Sequence, residues 1–438
     1  MKNIISKIIF ILCDILMIIL AIYVAFIIRE SLSILENHDI SYFKYLTFYP
    51  LYIIVIILLT YEGIYTYRYD FWHESRLIIK VLIFSAILVF AYLAMTKMIT
   101  DYSRLVLGLS FVFMMLLIPL AKNISKKVLY SFGLWQKKAK VYGNDPFLMT
   151  EIYSNPYLGY VKPKLNEDPD TVFINSKNND ANSLRKIISS EIKSKHEIIF
   201  VPLMNDYNLT HSHIYELSNT RTNLIVFSNR LKSNYRLLMK NISDFILFVL
   251  ISPILIPIIL LISLRLKQTE PNSSIIFSQK RLGKNGEIFV CYKFRTMYEN
   301  SSELLEEYLK QNPEEVNYYQ KYHKYKNDPR VTKLGHLLRK TSLDELPQIF
   351  NVLKNEMSFI GPRPYMLDED NKIGEYRDAI LAVKPGITGL WQVSGRNDID
   401  FKSRVNIDIW YIRNWNLWMD LVILIKTIKT VLFRNGAR

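Results

Sequence analysis

Four long apolar segments occupy the first third of the chain, and they constrain its fold more than any other feature. They cover residues 4–28, 45–65, 77–99 and 105–121. Each is close to the ~20 residues that an α-helix needs to cross a hydrocarbon layer of about 30 Å. The first is not a secretory signal peptide, because its apolar run is too long and more spans follow it. The pattern predicts a transmembrane bundle of four helices over residues 1–135.

The composition narrows the classes of protein that fit this pattern. Half of the residues are apolar, which excludes an intrinsically disordered chain. Since 22% of the residues are charged, the apolar residues must be concentrated in separate segments. The chain has 2 cysteines, which excludes a disulfide-stabilised scaffold. With 55 Lys and Arg against 40 Asp and Glu, the net charge is +15. The basic residues cluster beside apolar segments, which favours an anionic membrane surface or phosphate-bearing substrates over nucleic acid.

The same basic residues predict the orientation of the bundle. They stand at the start of the chain, around the loop between the second and third spans, and after the fourth span: Lys2, Lys7, Arg68, Arg76, Lys80 and six lysines between 122 and 140. The loop after the first span is mostly acidic or polar. Cytoplasmic loops carry the excess of lysine and arginine. Both ends of the bundle, and everything that follows it, are therefore predicted to be cytoplasmic.

Short β-rich runs alternate with helical runs between residues 136 and 230. The predicted strands cover 140–143, 171–175, 198–201 and 224–227, and the predicted helices cover 146–154, 181–195 and 209–219. This alternation predicts a small parallel α/β domain. A dinucleotide site needs a glycine-rich turn after the first strand, and the turn here has Gly143 alone. We expect a degenerate Rossmann-like spacer or regulatory module, with nucleotide binding as the alternative.

A fifth apolar segment, residues 245–264, differs from the first four. Pro253 and Pro257 interrupt it, and basic residues flank it on both sides. A proline removes a backbone donor and kinks a helix, and a crossing segment is expected to be basic at one end only. The pattern predicts a re-entrant helix–break–helix over 238–266. A fifth crossing with tolerated prolines is the alternative.

The last apolar stretch, residues 410–433, is amphipathic. It combines three tryptophans with basic residues near its end. This pattern predicts a helix that lies in the membrane interface. A helix that packs on the core of the final domain is the alternative.

Two adjacent carboxylates, Asp344 and Glu345, begin a stretch of helical periodicity. Ser342 with Glu345 fits a capping box, whereas Pro347 favours a later start with Asp344 as the cap. Both registers put the two carboxylates at a helix N-terminus, where an ionised carboxylate is favoured. Such a pair can divide the roles of nucleophile and metal ligand, although a simple cap is the commoner use.

Basic and glycine-rich segments lie on both sides of this pair. Residues 292–297 alternate as a strand would and place Lys293 and Arg295 on one face. Arg363 stands between two prolines in a stiff turn. Glycines on both sides of Thr388 would let the backbone approach a ligand closely. Arginine suits phosphate oxygens, although each segment alone is also compatible with a solvated strand or loop.

Taken together, these segments resemble the bacterial sugar transferase family, the monotopic phosphoglycosyl transferases, and above all its long polyprenyl-phosphate hexose-1-phosphate transferases. The resemblance is tight over residues 237–438, through Ser252-Pro253, KFRTM, SLDELPQIFNVLKNEMSFIGPRP, PGITGLWQVSGR and the terminal aromatic helix, and looser before them. It implies an α+β membrane protein. Its parts would be the N-terminal four-helix bundle (1–135), a degenerate Rossmann-like α/β domain (136–230) and a catalytic domain (231–438) with the re-entrant helix.

The resemblance implies the chemistry as well. A hexose 1-phosphate, such as that of galactose or glucose, would pass from a UDP-sugar to undecaprenyl phosphate, with release of UMP. Asp344 would form a covalent aspartyl-phosphosugar intermediate, and Glu345 would help to hold Mg²⁺ (magnesium). Substrate binding would fall to four basic residues: Lys293, Arg295, Arg339 and Arg363.

The family also implies a setting. The reaction would be the first membrane step of O-antigen, lipopolysaccharide, capsule or exopolysaccharide synthesis, at the bacterial inner membrane with the catalytic domain in the cytoplasm. An N-acetylated or deoxy amino sugar is an alternative substrate, and a non-catalytic scaffold of glycan assembly is the alternative function. A homodimer is a candidate assembly. A polytopic phosphosugar transferase is disfavoured, because it would need many more spans and acidic loops between them.

Overall fold

The computed structural model describes residues 2–32, 41–143, 146–164, 167–176, 181–191, 197–201, 213–217, 222–226, 234–271, 273–312, 315, 328–394 and 400–433. The chain forms two compact units, Met1–Leu203 and Met204–Arg438. Apolar helices dominate the start of the first unit, and the second unit mixes helices with short sheets, so the predicted mixed architecture of α and β elements is confirmed. The predicted domain boundaries at 136 and 231 stay predictions.

The first unit begins with the apolar helices that the sequence predicts. They are α1 (Lys2–Ser31), α2 (Tyr42–Leu46), α3 (Tyr49–Tyr61), α4 (Phe71–Met95) and α5 (Arg104–Ser131), with a 3₁₀ turn at Ile99–Asp101. The second predicted span is divided between α2 and α3, and Pro50 stands in the first turn of α3, where its missing N–H costs nothing. Four apolar stretches of this unit are long enough to cross a membrane: Ile4–Ser31, Tyr42–Tyr61, Phe71–Met95 and Arg104–Ser131.

Ion pairs are buried between the apolar helices of this unit. Nζ of Lys122 lies 2.8 Å from Oδ2 of Asp14, to which the hydroxyl of Tyr65 also donates at 2.6 Å. Lys126 donates to Glu74. All four charged side chains are at most 1% exposed. Charges in such surroundings are stable only when paired, so these contacts fix α5 against α1 and α4.

The α/β part of the first unit is a parallel sheet, as predicted. Its strands are β1 (Lys137–Tyr142), β2 (Tyr160–Val161), β3 (Thr171–Asn175) and β4 (Glu197–Val201), in the order β2-β1-β3-β4. Helices α6 (Pro146–Ser154) and α7 (Ala181–Glu191) connect them. Gly143 follows β1 with φ +105°, a conformation in which glycine is favoured. Asn144 and Asp145 of the same turn lie outside the described residues.

The predicted helix over 209–219 is wrong where the structure describes it. Residues His213–Leu217 form strand β5, which pairs antiparallel with β6 (Thr222–Val226). The registration sets Tyr215 opposite Leu224. Aromatic and branched residues pack well on such a ladder, and the pairing outweighs the helical spacing. Both strands belong to the second compact unit and not to the parallel sheet.

Helix α8 (Asn234–Thr269) contains the fifth apolar segment. It runs for 36 residues, about 54 Å at 1.5 Å per residue, and continues through Pro253 and Pro257. The predicted break between two helices is therefore wrong: each proline lacks one N–H, and the rest of the hydrogen-bond ladder persists. Only 6% of its most apolar stretch is buried within the protein. Re-entry of this helix into the membrane stays a prediction.

The remainder of the second unit surrounds one core. Its elements are β7 (Ile276–Leu282), β8 (Ile288–Phe294), α9 (Ser301–Gln311), α10 (Lys333–Thr341), a 3₁₀ helix (Leu343–Gln348), α11 (Ile349–Leu353), β9 (Ser358–Ile360), α12 (Asp370–Ile373), α13 (Arg377–Leu381), β10 (Gly386–Thr388), α14 (Leu390–Val393), α15 (Phe401–Asn414) and α16 (Leu417–Phe433). Short 3₁₀ turns cover Lys284–Gly286, Leu367–Glu369 and Gly374–Tyr376. β7 pairs antiparallel with β8, and β9 pairs parallel with β10.

A buried polar network ties α8 to α15 and α16. Asp420 accepts hydrogen bonds from Nζ of Lys240 (2.9 Å), the hydroxyl of Tyr411 (2.7 Å) and Nε1 of Trp415 (3.0 Å). Lys240 and Asp420 are both 7% exposed. Trp415 is thus a core residue, whereas Leu421, Ile425 and other apolar residues of α16 remain exposed. The predicted single helix over 410–433 is therefore wrong in its bounds: α15 ends at Asn414 and α16 begins at Leu417, because Trp415 leaves the helical conformation to enter the core. The place of α16 at the membrane interface stays a prediction.

Candidate active site

Asp344 and Glu345 occupy the first turn of the 3₁₀ helix Leu343–Gln348, so their predicted place at a helix start is confirmed. Ser342 ends α10 in a left-handed conformation (φ 56°) and opens the 3₁₀ helix, without a side-chain cap. Both predicted capping arrangements are therefore wrong. The carboxylate of Glu345 is held elsewhere, by Lys293, which explains why it does not fold back on the helix start.

Lys293 is the next-to-last residue of β8 and donates from Nζ to Oε1 of Glu345 at 2.6 Å. The two side chains are 27% and 28% exposed. Burial alone would lower the pKa of Lys293, but the contact with Glu345 and the charge of Asp344 outweigh it and raise that pKa. Lys293 thus stays charged and fixes the position of Glu345.

Asp344 lies half-buried beside this ion pair. Burial, followed by the negative charge of Glu345, raises the pKa of Asp344 to about 6, although Lys293 and Arg339 act in the opposite direction. The carboxylate is therefore poorly solvated, yet ionised near neutral pH. A carboxylate in that state is a better nucleophile than one that water surrounds completely.

Arg339 approaches from the last turn of α10. Its Nε donates to the Thr296 hydroxyl at 2.9 Å, just after β8. This approach depends on Gly335, since a Cβ there would overlap the backbone of Thr296. Burial lowers the pKa of Arg339, and the charge of Asp344 raises it again. Helix α10 therefore brings one cation to the electrostatic surroundings of Asp344.

Arg363 is presented by the turn that follows β9. Its Nη2 lies 3.3 Å from Oε1 of Glu369, and its backbone N–H donates to Oδ2 of Asp408 at 3.1 Å. The hydroxyl of Tyr365 donates to the same oxygen at 2.9 Å. Asp408, on α15, is fully buried, and burial raises its pKa to about 7 in spite of these hydrogen bonds. Asp408 holds the turn that carries Arg363, a role that no local sequence signal indicates.

The glycines near Thr388 have a packing role. Gly386, the first residue of β10, and Gly389, which follows β10, both lie close to Gly361, which follows β9. A Cβ on Gly361 would lie 2.7 Å from the nitrogen of Gly386, and one on Gly389 would overlap the carbonyl oxygen of Gly361. The glycines therefore allow a close approach to the backbone that leads into the turn of Arg363, and their predicted approach to a ligand stays a prediction. Gly395 and Arg396 of the same motif lie outside the described residues.

Trp391 lies close to two guanidinium groups near this turn. The guanidinium carbon of Arg363 lies 5.6 Å from the ring centroid, and that of Arg404 lies 5.4 Å from it. Cations at such distances from an indole ring are attracted to its π face. Trp391 thus contributes, together with Glu369, to the position of Arg363.

A cavity of about 130 Å³ opens between these elements. It is lined by Arg281, Cys291, Lys293, Glu345, Gln348, Arg363, Pro364, Ile387, Trp391 and Gln392. Three predicted site residues, Lys293, Glu345 and Arg363, therefore meet at one cavity. Arg281, Trp391 and Gln392 also line it, and the sequence does not single them out as site residues.

Arg295 is separated from this group. It follows the end of β8, and its guanidinium donates to the Ser274 hydroxyl and lies 3.7 Å from Glu299. Asp344 and Arg339 lie beside the Lys293–Glu345 pair without lining the cavity. The structure thus groups five of the six predicted residues through Glu345 and its neighbours, and it sets Arg295 apart from them.

The donors at this place suit one divalent cation of the magnesium type. Among the described residues, no three His, Cys, Asp or Glu side chains gather as a preformed metal cage. Mg²⁺ is commonly held by one or two carboxylates together with substrate phosphates and waters. The consecutive carboxylates of Asp344 and Glu345 fit that mode of binding.

Comparisons with known proteins agree with this arrangement. The family model described as bacterial sugar transferase matches residues 235–434. The undecaprenyl-phosphate galactose phosphotransferase of Salmonella typhimurium is 34% identical over 404 residues, which cover 85% of this chain and 84% of the relative. An uncharacterized sugar transferase of Haemophilus influenzae is 36% identical, over 93% of this chain and 94% of its own.

A third relative is similar over a shorter stretch. The UDP-glucose:undecaprenyl-phosphate glucose-1-phosphate transferase of Klebsiella pneumoniae is 32% identical over 289 residues, 62% of this chain and 57% of the relative. The first two relatives match over most of both chains. On these similarities the chain belongs to the bacterial sugar transferase family.

Proposed function

We propose that this protein transfers a sugar 1-phosphate from a UDP-sugar to undecaprenyl phosphate and releases UMP. One observation carries the proposal: a half-buried carboxylate, Asp344, lies beside a second carboxylate that Lys293 holds at 2.6 Å. The arrangement places a nucleophile, Asp344, next to a second carboxylate, Glu345, whose position Lys293 fixes. The names of the Salmonella and Klebsiella relatives support undecaprenyl phosphate as the acceptor, and the Klebsiella name supports a UDP-sugar as the donor.

The first step is an attack by the Asp344 carboxylate on the phosphorus that bears the sugar. A bond forms between the carboxylate oxygen and phosphorus, and the bond from phosphorus to the bridging oxygen breaks. UMP leaves with that electron pair, and Asp344 becomes an acyl phosphate that carries the sugar. The pKa of about 6 leaves Asp344 ionised near neutral pH, as this attack requires.

The second step transfers the phosphosugar to the lipid. An oxygen of undecaprenyl phosphate attacks the same phosphorus, and the Asp344 carboxylate leaves. The product is undecaprenyl diphosphate–sugar. No bond to the anomeric carbon breaks in either step, so the anomeric configuration of the sugar is kept.

The neighbouring residues stabilise the charges of these steps. Glu345, with Asp344 nearby, would hold Mg²⁺, which offsets negative charge on the phosphate oxygens. Lys293 fixes Glu345, and Arg339 and Arg363 bind phosphate oxygens. Among the predicted binding residues, Arg295 has the least support for a contact with substrate, because its guanidinium already contacts Ser274 and Glu299.

The membrane segments provide the lipid side of the reaction. Five helical stretches among the described residues are long and apolar enough to cross a membrane. We place the protein in the bacterial inner membrane, with the catalytic unit in the cytoplasm and the continuous helix α8 bent at Pro253 and Pro257, so that both of its ends lie on that face. The isoprenoid then stays in the bilayer while its phosphate reaches Asp344. In this setting the reaction opens the synthesis of an O-antigen, capsule or exopolysaccharide.

The covalent step can be tested without the lipid acceptor. Purified protein, Mg²⁺ and a panel of UDP-hexoses and UDP-N-acetylhexosamines should release up to one UMP per active site with the correct sugar. The protein should gain the mass of one phosphosugar, on Asp344. UMP that appears only after addition of undecaprenyl phosphate would contradict the covalent route. Absence of any lipid-linked product with the whole panel would favour a scaffold.

A further inference from the structure

Arg281 is a buried cation on the cavity of the active site. It is the next-to-last residue of β7 and is 8% exposed. Its Nη1 donates to the carbonyl oxygen of Pro364 at 3.1 Å, and its Nη2 donates to Oε1 of Gln279 at 2.7 Å. Both acceptors are neutral, so these contacts orient the guanidinium without balancing its charge.

The charge of Arg281 has no close counterpart in the part of the chain that the structure describes. The neighbouring cations of the cavity do have one: Lys293 pairs with Glu345 at 2.6 Å and Arg363 pairs with Glu369 at 3.3 Å. No described carboxylate lies within ion-pair distance of Arg281, and its Nε has no hydrogen-bond partner. A buried charge in that state is costly unless something else compensates it.

A second cation increases this cost. Burial, followed by the charge of Arg363, lowers the pKa of Arg281, although Cys291 and the more distant carboxylates of Glu369 and Glu345 act in the opposite direction. Two guanidinium groups that repel each other across one cavity are stabilised together by an anion placed between them. Nη1 and Nη2 of Arg281 carry two N–H groups each and use one each in the contacts with Pro364 and Gln279, so further donors remain for such an anion.

The cavity has room for the anion. Its volume is about 130 Å³, whereas the neighbouring cavity beside Lys240 and Lys384 measures about 20 Å³. The smaller space is close to the ~15 Å³ that one water requires, and the larger one exceeds it several times. The larger cavity also contains Glu345, so an anion bound there lies next to the carboxylates of the active site.

We propose that Arg281 is a phosphate-binding residue of this active site, reaching a phosphoryl oxygen of the substrate through a guanidinium N–H that its contacts with Pro364 and Gln279 leave free. The inference rests on the proposed function and deepens it. The phosphate belongs either to the nucleotide or to the lipid acceptor, which share this chemistry. Arginine suits the task because its fork of donors keeps two structural hydrogen bonds while a third donor stays free.

The nucleotide source is tested by a comparison of UMP with uridine. Affinities of the full-length protein in detergent or nanodiscs are measured by calorimetry for wild type and Arg281→Gln. Loss of a charge-assisted hydrogen bond should weaken UMP about tenfold or more and leave uridine within twofold. A purely structural role of Arg281 would weaken both ligands alike, and that result would overturn the proposal.

The lipid source is tested in the second step. Protein loaded with the phosphosugar is mixed with undecaprenyl phosphate in a single turnover. If UMP affinity is unchanged in Arg281→Gln but transfer slows about tenfold, with a raised requirement for the lipid phosphate, the lipid is the source. Unchanged behaviour in both measurements would overturn the proposal.

Two further variants keep the result interpretable. Lys280→Gln removes an equal charge from the exposed neighbour on the same strand, and it should match wild type in both measurements. Arg281→Lys keeps the charge without the fork, and it should retain part of the preference for UMP over uridine even where Arg281→Gln fails to fold.

The experiments distinguish a failure of the proposed transfer reaction from a failure of the inference about Arg281. If wild type forms no lipid-linked product but Arg281 still accounts for its affinity for UMP over uridine, the phosphate site stands and the proposed reaction is wrong. If wild type is active and the two Arg281 variants match it, the reaction stands and this inference is wrong.

Discussion

The ammonium group of Lys293 lies 2.6 Å from Oε1 of Glu345 and joins strand β8 to the 3₁₀ helix that carries both carboxylates. The two residues are 52 positions apart in the chain. Through this contact strand β8 positions Glu345, the carboxylate that we assign to the metal, while the adjacent Asp344 stays free to react. The first prediction follows from this division.

Lys293→Met should release Glu345 and weaken the use of Mg²⁺. Residues that orient a metal ligand typically contribute 10- to 100-fold in affinity or activity, and we expect a loss of about that size in the rate of UMP release at limiting Mg²⁺. Lys293→Arg is the matched control, since it keeps a donor at this place. A Met variant with an unchanged Mg²⁺ requirement would show that the contact with Glu345 has no such role.

Asp344→Asn and Glu345→Gln should fail in different ways. The amide of Asp344→Asn cannot form an acyl phosphate, so both the UMP burst and the mass gain should vanish, a loss of roughly 10³-fold or more. Glu345→Gln should still form the adduct, more slowly and at higher Mg²⁺. Intact-mass spectrometry after incubation with the UDP-sugar checks both variants. An adduct mapped to Glu345 would exchange the two roles.

Asp408 should make the folded protein sensitive to pH. Its folded pKa of about 7 lies above its ordinary value of 3.8, so the folded state prefers the protonated form. The stability that this group contributes is complete below pH ~3.8 and is lost as the pH rises towards 7. The amide of Asp408→Asn resembles the protonated carboxyl group and does not titrate. The melting temperature of this variant, relative to that of wild type, should therefore rise as the pH increases from about 4 to 7.

Two controls accompany the Asp408 measurement. Asp408→Ala removes the acceptor of the Arg363 N–H and the Tyr365 hydroxyl, and it should destabilise the protein at every pH and slow UMP release. Tyr365→Phe removes only one of these donors and should have a smaller effect. A difference between wild type and Asp408→Asn that does not change with pH would contradict the raised pKa.

The network around Asp420 should determine how firmly α8 is held by the catalytic unit. Lys240→Met leaves the Asp420 carboxylate buried without its cation, a change that costs about 3–5 kcal/mol at comparable sites. Addition of Asp420→Asn should recover part of that loss, since the uncompensated charge is gone. Thermal unfolding in one detergent compares the variants. A double variant less stable than Lys240→Met would argue against an electrostatic origin.

Re-entry of α8 should be visible as shielding of both of its ends. Cysteines at Tyr235 and Lys267, which are exposed residues near the two ends of α8, are introduced after replacement of Cys13 and Cys291 by serine. Both should escape an impermeant external maleimide in intact cells and react after permeabilisation. Labelling of one end alone in intact cells would establish a full crossing.

Local patterns in the sequence predict several elements with the bounds that the structure has. The helix Pro146–Ser154 and the strand Thr171–Asn175 are examples, because a proline at the first helical position and a continuous apolar run are sufficient signals. The strand His213–Leu217 is missed because its partner Thr222–Val226 decides its conformation. The continuity of α8 is missed because its prolines predict a broken helix. A proline removes only one backbone hydrogen bond, and α8 continues through both of them.

The candidate site shows the same limit. Asp344, Glu345 and Lys293 are found in the sequence because charged residues stand out beside apolar periodic runs. Asp408 contacts a turn 45 positions away, and Arg281 contacts Pro364 across 83 positions. The sequence around Asp408 or Arg281 gives no indication of such a distant partner. Their place at the site is therefore visible only in the folded structure.

The meeting of Gly361, Gly386 and Gly389 restricts how this enzyme can change over time. A side chain at any one of the three would overlap the backbone of another part of the same crossing. A saturation library at these positions, selected for activity, should return glycine alone at each. No single substitution there leads to a different shape of the turn that carries Arg363. We therefore expect a new substrate preference to arise at surrounding positions, with these three glycines kept.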